Sequence, residues 1–202
     1  MKKWIHFALP MLAAGVLLAG LPSSFAADKL ENIPLEWHPT APLSERAPVD
    51  VKGFGAVKLQ VEPFTDKRED PALIGRNMNK VPIRVVSTRE DVPRFVTYQV
   101  KQLLSAAGLD VVESGGTVMI KGEVKKFFVE ETNRYNATVE LRISLTDAED
   151  KVLWVVETTG TSSRYGIGYK AGNYYEVLSD ALIGAVHEVL RNPNFKRVAT
   201  GK

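Results

Sequence analysis

Tyr135-Asn136-Ala137-Thr138-Val139-Glu140-Leu141-Arg142-Ile143-Ser144-Leu145 alternates apolar and polar side chains along its whole length. Such period-two patterning is that of a long strand with one buried and one wet face. The neighbouring segments extend the pattern. Val118, Ile120, Gly122 and Val124 line one face of a preceding strand that runs to Phe128 or beyond, and Val152, Trp154 and Val156 belong to a following strand over 151–161. Asp147 to Asp150 turns the chain between the last two, so three sequential strands with short turns predict an antiparallel meander.

Outward from this meander, Val57, Leu59 and Val61 alternate with Lys58 and Gln60 as a first strand, which Pro63 ends. Residues 62–80 are polar and irregular and read as a long loop. Residues 81–86 read as a short extended stretch, because Pro82 biases Val81 away from helical geometry. Ser87-Thr88-Arg89-Glu90 has the form of a capping box. Behind it Val92, Phe95, Val96, Val100, Leu103, Leu104 and Ala107 recur at helical spacing, and Gly108 supplies a left-handed stop. A short strand over 109–112 and a turn over 113–116 lead into the meander. After it, Asn173 and Glu176 read as a second capping signal for a helix carrying Tyr175, Leu178, Leu182, Ala185, Val186 and Val189 to its stop at Asn192-Pro193. The element order is β-α-β-β-β-β-α: an α+β fold, with a mainly antiparallel sheet and two helices packed on one face.

The two ends of the chain read differently. Within residues 1–26, Lys2 and Lys3 precede an apolar run, Phe7 to Leu21, and Ser24-Phe25-Ala26 offers small residues where signal peptidase reads. This is the pattern of a secretory signal peptide cleaved to leave Ala27 first. Pro10 breaks the apolar run, which also falls short of the ~20 residues of a spanning helix, so no transmembrane span is expected in the mature chain. Residues 27–52 carry Pro34, Pro39, Pro42 and Pro48 and read as an extended linker, with Leu35 and Trp37 as groups able to pack on the domain. Residues 53–202 form a single domain.

Composition excludes several chemistries. The chain of 202 residues has no cysteine, hence no disulfide, thiol nucleophile or cysteine-bound metal. It carries 26 Lys+Arg against 24 Asp+Glu. Loss of Lys2 and Lys3 makes the mature chain neutral, which argues against nucleic acid as a partner. Lys121, Lys125 and Lys126 are the densest basic group, and on a regular strand Lys126 faces away from the other two. No cofactor and no metal site are expected. His38 lies in the proline-rich segment, and His187 falls off the apolar face of the last helix, where it is expected to be solvated. Neither stands near a Gly-x-Ser-x-Gly elbow. Glu130-Glu131 and Asp147, Glu149 and Asp150 read as exposed turn acids. Gly166 and Gly168 open no phosphate-binding motif, since Gly172 comes too late for one.

Two loops are candidates for recognition. Arg164 to Gly172 brings Tyr165, Gly166, Gly168 and Tyr169 together with Tyr174, and tyrosines on a glycine-rich loop give contact area with a polar tip. One or two of these rings could equally tuck beneath the loop. Asp66 and Arg68 form the second candidate, either a clamp within the loop or a contact for a ligand or partner.

Asn133-Arg134-Tyr135-Asn136-Ala137, Asp66-Lys67-Arg68 followed by Ile74-Gly75, the helix exit Gly108 to Val111 and the closing helix together resemble the YajG-like family of bacterial envelope lipoproteins, over most of residues 54–196. The resemblance implies an outer-membrane-associated periplasmic protein with no catalytic residues to carry over. Family members have a lipidated cysteine after Leu-Ala-Gly, whereas Leu21 follows Leu18-Ala19-Gly20 here, so the resemblance implies a soluble periplasmic relative without the lipid anchor. The expected function is non-enzymatic: a binding or assembly-accessory role toward an envelope protein, peptide or glycan. The alternative is a small envelope hydrolase acting on glycan or peptide through carboxylates. Oligomeric state stays open.

Overall fold

In the computed structural model, which describes residues 29–46, 48–166 and 168–202, the alternating segments become three long strands. They are β6 (Val118–Glu131), β7 (Arg134–Thr146) and β8 (Val152–Tyr165), antiparallel in sequence order. The face carrying Tyr135, Ala137, Val139, Leu141, Ile143 and Leu145 is buried, as the alternation requires. The expected signal peptide, 1–26, and its cleavage point lie outside the described residues.

The fold is α+β as expected, and its sheet, antiparallel along the three long strands, is mixed because the short strands add parallel pairings. β6 is its hub. One edge of β6 pairs with β7, and the other takes three parallel partners in series: β1 (Lys58–Val61), β2 (Thr65–Asp66) and β3 (Leu73–Asn77). β5 (Asp110–Val112) lies parallel beside β1, and β4 (Arg84–Ser87) antiparallel beside β3. α1 (Val92–Ala106) joins β4 to β5, and the long stretch of chain between β1 and β6 lets β6 return in the direction of β1, as parallel pairing requires. Residues 62–80, expected as loop, therefore contain two strands. β3 is short and holds Gly75 against the ring of Tyr174, where an added Cβ would come within 2.6 Å of that ring, so its sequence lacks a strand's usual β-branched pattern.

Lys125 is the extra residue of a β-bulge, between the pairs Val124–Leu141 and Lys126–Glu140. It reverses the alternation, so Phe127 and Val129 take up the buried face and Lys126 joins Lys121 on the other. The expected split of these lysines is thereby corrected.

α1, α2 (Ala171–Arg191) and α3 (Pro193–Thr200) are the described α-helices. α1 starts at Asp91, whose carboxylate accepts from the Arg94 amide at 2.9 Å, rather than at the expected capping box. It stops as expected before Gly108, at φ +88°. α2 begins at Ala171 with no side-chain cap, so Asn173 and Glu176 are inside it. α3 follows because Asn192, which ends α2, accepts from the Asn194 amide at 3.0 Å and Pro193 opens the new helix. Phe195 of α3 stacks on Phe54 at 5.7 Å and packs by Trp154 at 6.2 Å.

Apart from a 3₁₀ turn at Leu43–Glu45, the described residues between 29 and 52 are largely extended, as their prolines favour, but lie along the domain instead of leading away from it. The Ile33 amide donates to the Ser87 carbonyl at 2.8 Å, and the Ser87 amide to the Leu30 carbonyl at 3.0 Å. The carboxylate of Glu90 accepts from the Leu35 amide at 3.0 Å, so the residues read as a capping box serve this strap. Trp37 packs at 6.5 Å from Phe95 of α1. On α2, Ser179 accepts from the His38 amide at 3.0 Å and Asp180 from the Thr40 amide at 2.9 Å. With the sheet on one side and the strap on another, α2 is covered nearly all round. His187 is consequently buried, at 5% exposure, and not solvated.

Leu141 is buried mid-strand, while Thr138 lies on the opposite face, between Phe128 and Thr161. Leu141→Ala is expected to cost ~2–5 kcal/mol. Thr138→Ala is expected to cost under about 1 kcal/mol. Chemical denaturation of the two variants checks both, and equal midpoints would invert the register.

Candidate functional site

β8 ends at Tyr165, where the first candidate loop begins. Tyr165 is 62% exposed, so this ring is available to a partner. The other tyrosines of the loop turn inward. Tyr174 is fully buried, with its ring 5.3 Å from Tyr135 and 6.4 Å from Tyr169, both edge to face. Its hydroxyl donates to the Glu131 carboxylate at 2.6 Å. Burial first, and then this bond to Glu131, push the Tyr174 hydroxyl far above the ordinary tyrosine range, so it remains a donor. Burial raises Tyr135 and Tyr169 as well. Tyr174 is therefore a core residue and not a contact residue. Glu131, expected as an exposed turn acid, is a buried acceptor.

Tyr169 is half-buried and structural. Its hydroxyl donates to the Val85 carbonyl at 2.7 Å and accepts from the Leu30 amide at 3.3 Å, joining the loop to β4 and to the strap. The guanidinium of Arg84 lies 5.6 Å over its ring. The glycines serve the same packing. A Cβ at Gly166 would stand 2.9 Å from the Tyr135 ring. Gly168, at φ +106°, places its carbonyl where the Tyr135 hydroxyl donates to it. These glycines admit the protein's own tyrosine rather than a partner.

The second candidate resolves into a clamp. Arg68 donates through Nε to Asp66 Oδ1 at 2.9 Å and through Nη2 to Asp66 Oδ2 at 2.7 Å, the bidentate arrangement that suits guanidinium and carboxylate. The same Nη2 reaches the Pro71 carbonyl at 2.7 Å, and the Arg68 side chain is only 6% exposed. It holds the turn between β2 and β3. Burial pushes the Asp66 carboxyl up, but the hydrogen bonds and charge of Arg68 outweigh it and leave the group below its usual range.

Three further surfaces were not evident from local sequence, because each combines distant segments. A cavity of about 750 Å³ opens on the helix-free face of the sheet, lined by Glu62, Lys121, Glu123, Arg142 and Asp150 among others. Lys121 pairs there with Asp150 at 2.5 Å, and Gln60 donates to Glu62 at 2.6 Å. A groove of about 640 Å³ lies between the strap and the end of β8, where His38 and Thr40 face Ser162, Ser163, Glu176 and Asp180. Arg164 forms an ion pair with Glu176 at its side. The third surface is the exposed tip of the β3–β4 hairpin. Asp147, by contrast, is a turn acid as expected, accepting from the Lys151 amide at 2.9 Å.

No family model and no curated protein matches the chain. Solved structures do resemble it. A Xanthomonas campestris protein of the DUF330 family is 15% identical, with a TM-score of 0.47 over 85% of this chain and 94% of that one. PelC from Paraburkholderia phytofirmans, solved as a dodecamer, is 16% identical, with a TM-score of 0.41 over 66% of this chain and 86% of that one. A minor lipoprotein from Acinetobacter baumannii is 11% identical, with a TM-score of 0.41 over 70% of this chain and 94% of that one. Among the described residues no helix is long and apolar enough to cross a membrane.

The Asp66 carboxyl is held below its unfolded value, so its contribution to stability is present above about pH 4 and lost as pH falls through the lower, folded value. Asp66→Asn is expected to unfold at a lower temperature than wild type near neutrality, with the gap closing as pH falls from about 5 to about 2. Thermal melts across that range check it. A gap independent of pH would remove the clamp.

Proposed function

We propose that the chain is a non-enzymatic binding or assembly-accessory protein of the bacterial cell envelope, periplasmic after export, that takes an extended peptide of an envelope partner along the free edge of β8. The single observation that carries this reading is the edge itself. β8 runs for 14 residues and, among the described residues, pairs only with β7. Natural edge strands of this length are normally blunted by charge or proline. Here Glu157 is the one charge between Val152 and Ser163, and no proline interrupts the strand.

An added strand satisfies the outward amides and carbonyls of such an edge, and alternate side chains give specificity. Tyr165 stands at one end of it as an exposed anchor. The groove at Ser162 and Ser163 can receive a side chain from the incoming strand, with hydrogen-bonding groups from the strap opposite. The envelope location rests on the export pattern of residues 1–26.

The carboxylates of Glu62, Glu123 and Asp150 on one cavity favour the second reading, a hydrolase of glycan or peptide. Release of soluble fragments from peptidoglycan by the wild-type protein, lost in Glu123→Gln, would establish it over the first.

Thr159 and Thr161 are exposed on β8 and leave the core untouched. Thr159→Lys/Thr161→Lys is expected to keep its melting temperature. It is also expected to lose the partners that wild type retains in affinity capture from envelope extract, and Tyr165→Ala to lose on the order of 2 kcal/mol of that binding. Retention unchanged in both variants would overturn the edge reading, and a dimer that the lysines dissociate would place a second copy on the edge.

A further inference from the structure

The β3–β4 hairpin exposes an apolar group that the core does not use. Val81 at its tip is 100% exposed, Ile83 49%, Val85 43% and Met78 42%. Val81, Ile83 and Val85 gather at one recess, and exposed apolar side chains grouped in this way mark an interaction surface. The tip projects past the end of β6, held there by the Met78 amide, which donates to the Glu131 carbonyl at 2.7 Å, and by Asn79, which donates to the Thr132 carbonyl. Glu131 is the same residue that Tyr174 fixes from the other side, so the base of the hairpin is rigid while its tip is presented outward.

Charge identifies the occupant. From Pro71 to Thr88 the sequence has three cations, Arg76, Lys80 and Arg84, and no acid. Lys80 and Arg84 share a recess of about 380 Å³ with Val81, Ile83 and Lys29. Against these cations stand Glu31 in the recess and Glu130, registered opposite Arg76. The whole chain has nearly balanced charge, so this excess is local. Apolar side chains ringed by Lys and Arg fit the headgroup boundary of an anionic bilayer, where the first enter the acyl region and the second meet phosphates.

The chain path agrees. The described structure begins at Lys29, beside the tip, so the preceding 28 residues with their apolar run join the fold at this end. We infer that the β3–β4 hairpin is a lipid-docking element that inserts Val81 and Ile83 into a membrane surface of anionic phospholipid, with Lys80 and Arg84 on the headgroup phosphates.

This inference rests on the envelope reading only for the place where lipid is met, and it uses a different face from β8. Vesicle binding by a protein that captures no partner, or partner capture without vesicle binding, therefore separates the two. The exported protein, its mass verified to begin at Ala27, is sedimented with vesicles of phosphatidylethanolamine and phosphatidylglycerol and with vesicles of phosphatidylcholine alone. Wild type is expected to sediment with the anionic vesicles, less so in high salt, and not with phosphatidylcholine. Val81→Asp/Ile83→Asp is expected to abolish sedimentation, and Lys80→Glu/Arg84→Glu to weaken it on the order of tenfold or more.

Because the chain has no cysteine, a polarity-sensitive fluorophore on Val81→Cys reports from one place. Its emission is expected to shift to the blue on anionic vesicles, whereas the same label on Thr161→Cys stays unchanged. Absence of wild-type sedimentation, binding that survives Val81→Asp/Ile83→Asp, or a Val81 label that stays in water would each overturn the proposal. Capture of a lipid-free protein lost in Val81→Asp/Ile83→Asp, without vesicle binding, would assign the tip to a protein partner instead.

Discussion

Helix α2 rests on the sheet at a separation that only glycine allows. A Cβ at Gly160 of β8 would fall inside the backbone of α2, against the carbonyl of Ala181 and the amide of Ala185. Across the contact stands Gly184, whose own added Cβ would be 3.4 Å from the Gly160 Cα. Thr158 pins the same place from the side, its hydroxyl donating to the Ala185 carbonyl at 2.9 Å. Close approach of this kind removes the gap that two rows of side chains would otherwise keep open, and the edge strand gains a backbone surface as its cover.

Much of the remaining structure refers to the position of α2. Its first turns carry Tyr174 to Glu131 and so close the buried tyrosine cluster at the end of β6, next to the base of the β3–β4 hairpin. Its middle presents Ser179 and Asp180 to the strap, which lies as an extended segment because those side chains take up the amides of His38 and Thr40. Thr40 also donates its hydroxyl to Asp180 at 2.5 Å. The groove between strap and β8 follows from that placement, as does the availability of the β8 edge on its far side. The groove by the strap is thus a by-product of one helix docked deeply on one strand.

The long strands were legible because β7 alternates strictly from Tyr135 to Leu145, and β6 and β8 alternate over shorter runs, a signal that burial of one face enforces. The bulge at Lys125 was not, since its phase shift falls across Lys125, Lys126, Phe127 and Phe128, where charged and apolar residues do not alternate. β3 escaped because its neighbour on the inner face is a tyrosine ring from α2, which demands Gly75 where a strand pattern calls for a branched side chain. Ser87 to Glu90 formed a plausible cap but hold the strap instead, and Asp91 takes the helix. His187 was misplaced by a helical wheel that assumes one buried face, whereas α2 has sheet below it and strap above. Among the side chains of the candidate site residues, that of Tyr165 has the exposure that contact requires. Tyr174 and Arg68 looked like recognition groups because tyrosine and arginine serve surfaces and cores alike, and only the positions of Glu131 and Asp66 decide between the two.

The seating of α2 on β8 is tested most directly by Gly160→Ala, followed by amide hydrogen exchange of His38 and Thr40 together with the unfolding midpoint. A methyl group there has no space, so the variant is expected to lose about 1–3 kcal/mol or more of stability and to release the strap, with exchange at both amides rising toward that of an open segment. Gly184→Ala, which meets only ordinary contact distances, is expected to change both far less. A Gly160→Ala protein with wild-type midpoint and wild-type protection at His38 and Thr40 would contradict the account.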